Sequence, residues 1–273
     1  MTAPRTIEEY RAQLVSIPAG PFVRGNSTPA IFEELVCAGL REQYPDSDIR
    51  PPADMLRQMT EPHTPAREIF LDAYTIGRTA VTVGMWEEFA QAKGFALPPA
   101  PEFNPDWQYK EHPIVNITWS EARQFSLWAK LRLPTEAEWE KAARGLEGNL
   151  FPWSSTFNRS LVHGSDRPLG ATHGTAPVGS FPTDCSPYGV LDLAGNVRDW
   201  CADRYDKHYY TTSPEQNPPG PKPGTYPAPK TGTLRVCRGG TWSDYYPISF
   251  LTFKRDARHP SARMGEVGFR LAC

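Results

Sequence analysis

The chain has 273 residues, with 29 Lys and Arg against 31 Asp and Glu, so its formal net charge is only -2. This balance gives no electrostatic reason to expect nucleic acid or an anionic membrane surface as a partner. The length suits one domain with a sizeable core, and 29 Pro and 21 Gly predict many loops. The 8 Trp, 11 Tyr and 13 Phe argue against disorder.

The N-terminus and the cysteines give an expectation about location. Residues 1–10 are polar rather than signal-like, and no apolar run approaches the length needed to cross a membrane. The five cysteines form no CxxC pair and are expected to be buried thiols. We therefore expect a cytoplasmic protein.

The first third of the chain predicts strands around a long excursion. Residues 17–22 are typical of a strand that enters a turn, and residues 69–76 alternate in the manner of a strand. Between them, residues 26–65 are polar, aperiodic and rich in proline. This segment is predicted to be a surface excursion, with a short helix around residues 31–40.

Three helices are then predicted, each from a hydroxyl side chain at the N-cap position. They cover residues 83–93 after Thr82, residues 121–130 after Ser120, and a third helix that begins after Thr135. Glu138 completes a capping box in the third helix.

Regular signals become sparse after Gly145, where short apolar stretches alternate with turn residues. Residues 234–238 and 267–272 are predicted strands. Two or three helices followed by loops and short strands predict an α+β fold with high loop content. Since no linker divides the chain, a single domain over 1–273 is expected.

The C-terminal segment has the most unusual composition. Arg-Gly-Gly-Thr-Trp at residues 238–242 begins it, and Gly-Phe-Arg-Leu at residues 268–271 ends it. Between these flanks, residues 243–253 concentrate aromatic and aliphatic side chains with no helical or strand period. This stretch is either core within an irregular loop or an exposed binding surface.

Several motifs occur together in an order typical of one family. They are Ile-Pro-Ala-Gly at 17–20, Val-Thr at 81–82, Arg-Leu-Pro-Thr-Glu-Ala-Glu-Trp-Glu at 132–140, Ala-Gly-Asn-Val at 194–197, and the two C-terminal motifs. With these motifs the chain resembles the formylglycine-generating-enzyme (sulfatase-modifying factor) family. The resemblance implies a loop-rich C-type-lectin-like fold. It also implies one of several functions, because the family includes copper-dependent oxidases, iron-dependent sulfoxide-forming enzymes and non-catalytic variable proteins diversified by retroelements.

The copper-dependent activity requires two cysteines in the C-terminal loop, because thiolates suit Cu(I). The corresponding positions here are Asp244 and Ser249, and no cysteine lies between Trp242 and Arg258. No copper is therefore expected. The iron-dependent activity requires a three-histidine site, usually in an added helical domain, which the scattered histidines do not suggest.

The resemblance also implies a structural calcium site around the Gly-Asn motif. The matching positions are Asp192, Gly195, Val197 and Asp199, whose oxygens would suit a hard cation. Two positions depart from the family pattern, since Asp199 replaces a Glu and Arg198 replaces a Trp. The alternative is a turn capped by Asp192.

The binding interpretation places ligand contacts in the C-terminal segment, with 238–272 as the variable region. Tyr and Phe offer rigid contact area, and nearby Ser and Asp offer hydrogen bonds, as in antibody paratopes. The predicted ligand-binding residues are Ser243, Asp244, Tyr245, Tyr246, Ile248, Ser249, Phe250, Leu251 and Phe253. Phe250 and Phe253 are equally well explained as core residues, whereas Tyr245 and Tyr246 are expected to be exposed.

The sequence therefore predicts a non-catalytic ligand-binding protein with a variable, aromatic-rich surface on a C-type lectin fold, diversified by a retroelement. Its expected partner is an unknown protein or other macromolecule, without nucleic acid or membrane. The alternative is a metal-dependent oxidoreductase of the same family that acts on a peptide or small molecule. Arg238 and Arg270 are expected to be buried and paired with acids such as Glu136 or Asp192.

Overall fold

The computed structural model describes residues 2–46, 50–167, 174–222 and 234–273. Within these residues the helices are α1 (Ile7–Ala12), α2 (Pro29–Gln43), α3 (Ala53–Thr60), α4 (Val83–Lys93), α5 (Trp119–Trp128), α6 (Glu136–Arg144) and α7 (Tyr209–Thr212). The strands are β1 (Leu14–Ile17), β2 (Gly20–Arg24), β3 (Arg67–Leu71), β4 (Tyr74–Gly77), β5 (Arg198–Arg204), β6 (Arg235–Arg238), β7 (Arg255–Arg258) and β8 (Val267–Gly268). None of the described helices is long and apolar enough to cross a membrane.

The strands form three small sheets. β1 pairs with β4 and β2 pairs with β3, both antiparallel. The third sheet has the order β7-β6-β5-β8, in which β8 runs parallel to β5. The mixed α+β class is as predicted, although the chain contains more helices than the two or three expected.

Local capping explains where the predicted helices begin. The Thr82 side chain accepts a hydrogen bond from the Met85 N–H at the start of α4, and Thr135 caps α6 with a complete capping box. Helix α5 begins two residues before the predicted start, because Thr118 rather than Ser120 is its N-cap. Glu121 completes that capping box.

The segment predicted as a surface excursion is largely helical in its described part. Helix α2 buries Phe32 and Val36 in a hydrophobic cluster with Phe250 and Phe253. The Phe32 ring centroid lies 6.3 Å from that of Phe253. Residues 26–65 therefore contribute to the core beside the C-terminal loop.

A buried ionic network lies under this cluster. Arg238 donates to Glu136 over 3.0 Å and to Glu140 over 2.9 Å, and Arg255 Nε donates to Glu136 over 2.7 Å. Burial opposes ionisation of Glu136, but Arg255 and Arg238 lower its pKa to about 2. The predicted burial and acid pairing of Arg238 is confirmed, and the network fixes the end of β6 where the C-terminal loop begins.

Candidate functional site

The C-terminal loop leaves β6 through two glycines that bring it close to residues 194–196. Gly239 has a φ of 90°, and a Cβ at Gly240 would lie 2.6 Å from the Ala194 carbonyl oxygen. The Gly240 N–H donates to that oxygen over 2.7 Å, and the Trp242 N–H donates to the Asn196 carbonyl over 2.9 Å. The Arg-Gly-Gly motif is thus a close backbone contact that sets the position of the loop.

The second half of the loop is core. Phe250, Leu251 and Phe253 are each 1% exposed and pack with α2, and Ser249 is also buried. These four residues were predicted to contact a ligand, and their burial corrects that prediction. Folding removes a large apolar area of Phe250, Leu251 and Phe253 from water. These side chains therefore hold the loop against the core rather than face a ligand.

Tyr245, Tyr246 and Ile248 form the displayed half of the loop, although α2 covers part of them. The two tyrosine rings meet edge to face, with centroids 5.2 Å apart. The Tyr245 hydroxyl donates to Glu42 on α2, and the Arg159 guanidinium lies 4.1 Å from the Tyr245 ring centroid. The rings are partly rather than fully exposed, and they are held by defined partners.

An apolar cavity of about 140 Å³ lies between this displayed half and helices α2 and α3. Tyr246 and Ile248 line one side, and Leu35, Gly39 and Met59 are among the residues on the other. Gly39 allows the approach, since a Cβ there would lie only 2.8 Å from Tyr246 Cδ1. No sequence pattern predicted this contribution from α2 and α3.

A charged cluster lies at the start of the loop, beside Asp244. The Arg198 Nη2 donates to Asp244 over 2.7 Å, and its Nε lies 3.3 Å from an Asp256 oxygen. Thr241 also donates to Asp244, over 2.9 Å. Burial opposes ionisation of Asp256, but Arg198, Arg258 and Lys254 hold its pKa below the usual range.

The positions expected for copper ligands in the family are therefore used differently here. Asp244 is held by Arg198, and the buried Ser249 hydroxyl lies 3.5 Å from Lys254 Nζ. Burial, reinforced by Arg198, lowers the pKa of Lys254. Arg198 and Lys254 were not predicted as site residues. For Arg198, the available signal was its position next to Asp199 at the start of a buried strand.

The Gly-Asn turn is organised by an arginine. Arg270 Nε donates to Asp199 Oδ2 over 2.6 Å, and its Nη2 donates to the carbonyl oxygen of Asp192 over 3.1 Å. The Trp139 indole N–H donates to the same Asp199 oxygen over 2.8 Å. Arg270 is thus buried with an acid as predicted, and its carboxylate partner is Asp199.

The comparisons with known proteins agree with the motifs. The sulfatase-modifying factor enzyme 1-like domain matches residues 2–273. The chain belongs to this family. The formylglycine-generating enzyme of Thermomonospora curvata is 26% identical over an alignment of 322 residues, which spans 98% of this chain and 95% of the relative.

Two solved structures superpose on this chain over nearly its whole length. PvdO from Pseudomonas aeruginosa superposes with a TM-score of 0.69 at 24% identity, covering 95% of this chain and 93% of PvdO. Treponema denticola variable protein 1 superposes with a TM-score of 0.64 at 23% identity, covering 95% and 94%. The chain has the C-type-lectin-like fold of the formylglycine-generating-enzyme type that its motifs predicted.

The two predicted calcium ligands that are carboxylates, Asp192 and Asp199, already accept hydrogen bonds within the protein. The Asp199 carboxylate is held by Arg270 and Trp139, and the Asp192 carboxylate accepts the Gly179 N–H over 2.7 Å. Among the described residues, no three His, Cys, Asp or Glu side chains gather as a metal site. Arg270 thus supplies positive charge beside Asp199 Oδ2, whereas Asp199 Oδ1 is buried without a hydrogen-bond partner among the described residues, and the calcium site stays a prediction.

Proposed function

We propose that this member of the family is a non-catalytic ligand-binding protein, whose binding surface is the displayed half of the C-terminal loop. The observation that carries the proposal is the division of the loop into anchors and displayed side chains. Phe250, Leu251 and Phe253 are buried, whereas Tyr245, Tyr246 and Ile248 are partly exposed beside an apolar cavity. Such a rigid support lowers the entropic cost of binding, because the displayed rings are already positioned.

The chemistry of the surface suits a protein ligand. Two tyrosines and an isoleucine offer apolar contact, and the charged Arg198–Asp244 pair lies at the start of the same loop. Aromatic residues in a polar surround are typical of energetically dominant contacts in protein interfaces. Diversification by a retroelement would vary the displayed residues while the anchors keep the loop conformation.

The test is a selection from a displayed peptide library on the immobilised protein, followed by affinity measurements on two variants. We expect Tyr246→Ser with Ile248→Ser to weaken the selected peptides at least about tenfold, as loss of a central interface contact does. Leu146→Ser, at a residue that is 60% exposed elsewhere, is the matched control and should leave affinity unchanged. Selected peptides that bind the double variant as tightly as the unmodified protein would contradict the proposal.

A metal-dependent oxidoreductase is the second candidate function. It is favoured by the similarity to the Thermomonospora curvata formylglycine-generating enzyme, which extends over 98% of this chain. Oxygen consumption in the presence of a cysteine-containing peptide, dependent on added copper or iron, would support this candidate over the first.

A further inference from the structure

A second cavity lies away from the C-terminal loop. Its volume is about 620 Å³, within the range of roughly 300–1,000 Å³ typical of small-molecule sites. Trp119, Arg123 and Leu127 on α5 form one wall, and the turn between β3 and β4 forms another with Asp72 and Ala73. None of the residues discussed for the C-terminal loop lines it.

The wall on α5 combines an aromatic ring, a cation and an exposed apolar side chain. Trp119, Arg123 and Leu127 follow at intervals of four residues, so they lie on one face of the helix. The Trp119 indole N–H donates to the Cys201 carbonyl over 2.8 Å, which fixes the ring. Leu127 is 60% exposed, and its apolar surface has nothing to cover it within the described residues.

The opposite rim is also rigid. Asn217 donates through Nδ2 to the Asp72 carboxylate over 2.8 Å and accepts the Asp72 N–H over 2.9 Å. The Asn217 N–H in turn donates to the Phe70 carbonyl over 2.9 Å. The cavity is therefore formed in advance of any ligand.

The charged residues that line the cavity differ in whether they have a partner. Glu138 is held by Arg132 in a two-point ion pair at 2.6 and 2.7 Å, and Asp72 is held by Asn217. Of the two lining cations, Arg123 is the one for which the described part of the chain provides no ion pair. A guanidinium without a carboxylate partner beside an apolar wall is a ready anion-binding group.

A second cation strengthens the positive potential at this wall. The Arg235 guanidinium stacks on Trp119, 3.6 Å from the ring centroid. Burial lowers the pKa of Arg235 to about 10, and the like charges of Arg204 and Arg123 contribute to this lowering. Arg235 does not itself line the cavity, but its charge adds to the positive potential around Arg123, which an anion bound to Arg123 would reduce.

We propose that this cavity is a binding site for a small organic carboxylate with a flat apolar body. The carboxylate pairs with Arg123, whose planar donor edge matches it, and the body lies against Trp119 and Leu127. A single negative charge is favoured over the double charge of a phosphate monoester, because the Asp72 and Glu138 carboxylates line the same space.

Indole-3-acetate and its neutral isostere indole-3-acetamide are suitable probes, measured by isothermal titration calorimetry. In the unmodified protein the carboxylate should bind at least about tenfold more tightly than the amide, since a charge-assisted pair is lost in the amide. Arg123→Gln should bring the two affinities together. Arg57→Gln, an exposed arginine on α3, is the matched control and should preserve the difference.

Location is tested with Ala73→Trp, which fills the cavity from an exposed turn position and should abolish binding of both probes. Tyr246→Ser should leave both affinities unchanged, so this proposal and the one for the C-terminal loop fail separately. The proposal is overturned if neither probe binds at millimolar concentration. It is equally overturned if Arg123→Gln keeps the preference for the carboxylate or if Ala73→Trp binds as the unmodified protein does.

Discussion

The guanidinium of Arg270 and the carboxylate of Asp199 form a buried ion pair, with Nε 2.6 Å from Oδ2 and both side chains at most 1% exposed. The remaining donors of Arg270 reach the carbonyl oxygens of Gly77, Leu191 and Asp192. One side chain therefore joins the C-terminal motif to β4 and to the Gly-Asn turn that contacts the C-terminal loop. A buried charge of this kind is stabilising only while its partners are present.

Arg270→Gln should lower the free energy of unfolding by about 3–5 kcal/mol, because Asp199 is left as an uncompensated buried charge. Arg263→Gln is the matched control, since Arg263 pairs with Glu121 at the surface with side chains 39% and 32% exposed. That loss should cost less than about 1 kcal/mol. Urea denaturation measures both, and equal costs would contradict the role given to Arg270.

Phe250→Ala should lower the free energy of unfolding by about 3–5 kcal/mol, because the ring is buried against Phe157 and α2 and would leave a cavity. Leu146→Ala, at a residue that is 60% exposed, should change stability by less than about 0.5 kcal/mol. If Phe250→Ala is equally mild, the ring does not anchor the loop.

Gly39→Val should displace the Tyr246 ring, because a Cβ at residue 39 would lie 2.8 Å from Tyr246 Cδ1. We expect a cost of about 1–3 kcal/mol from overpacking, together with weaker binding of loop-selected peptides. Ala38→Val is the control, because it introduces the same branched side chain at an exposed position of α2. Unchanged binding in Gly39→Val would show that the Tyr246 position is irrelevant to the surface.

Two acids near the Gly-Asn turn predict a dependence of stability on pH. Burial and the neighbouring Asp192 raise the pKa of Asp184 to about 7, and burial raises that of Asp192 to about 6. Since the folded state binds these protons more tightly than the unfolded state, their stabilisation is present at acidic pH. It is lost as the pH rises from about 4 to about 7.

Asp184→Asn should therefore be more stable than the unmodified protein at pH 8. The expected gain in the free energy of unfolding is about 1–3 kcal/mol. The asparagine oxygen can still accept the N–H groups of Ala194 and Gly195, each 3.1 Å from the Asp184 carboxylate. Asp46→Asn, at an exposed turn residue, is the control. A variant that is less stable than the unmodified protein at pH 8, with an unaltered pH profile, would contradict the assignment.

The parts of the fold that the sequence predicted are those governed by local chemistry. The caps at Thr82 and Thr135 specified where α4 and α6 begin, because each hydroxyl satisfies an N–H three residues away. The burial of Arg238 and Arg270 followed from the cost of leaving such charges unpaired. The family motifs gave the C-type-lectin-like fold, since they occur at its close backbone contacts.

The parts that the sequence did not predict depend on contacts between distant segments. A short helix was predicted around residues 31–40, where α2 forms, but residues 26–65 lack a clear period, so the packing of α2 on Phe250 could not be inferred locally. The sequence of residues 250–253 is compatible with burial and with display, and their burial depends on packing against α2 and residues 150–162. For the same reason the cavity beside Arg123, which five separate segments enclose, had no signature in the sequence.

The central claim is that the C-terminal loop binds partners rather than a redox metal, and metal content tests it most directly. Protein incubated with Cu(I) or Fe(II) and then desalted should retain far less than a stoichiometric amount of either metal, because the positions of the soft ligands hold Asp244 and Ser249. Stoichiometric metal that is lost in Asp244→Ala or Lys254→Met, with the fold intact, would contradict the account.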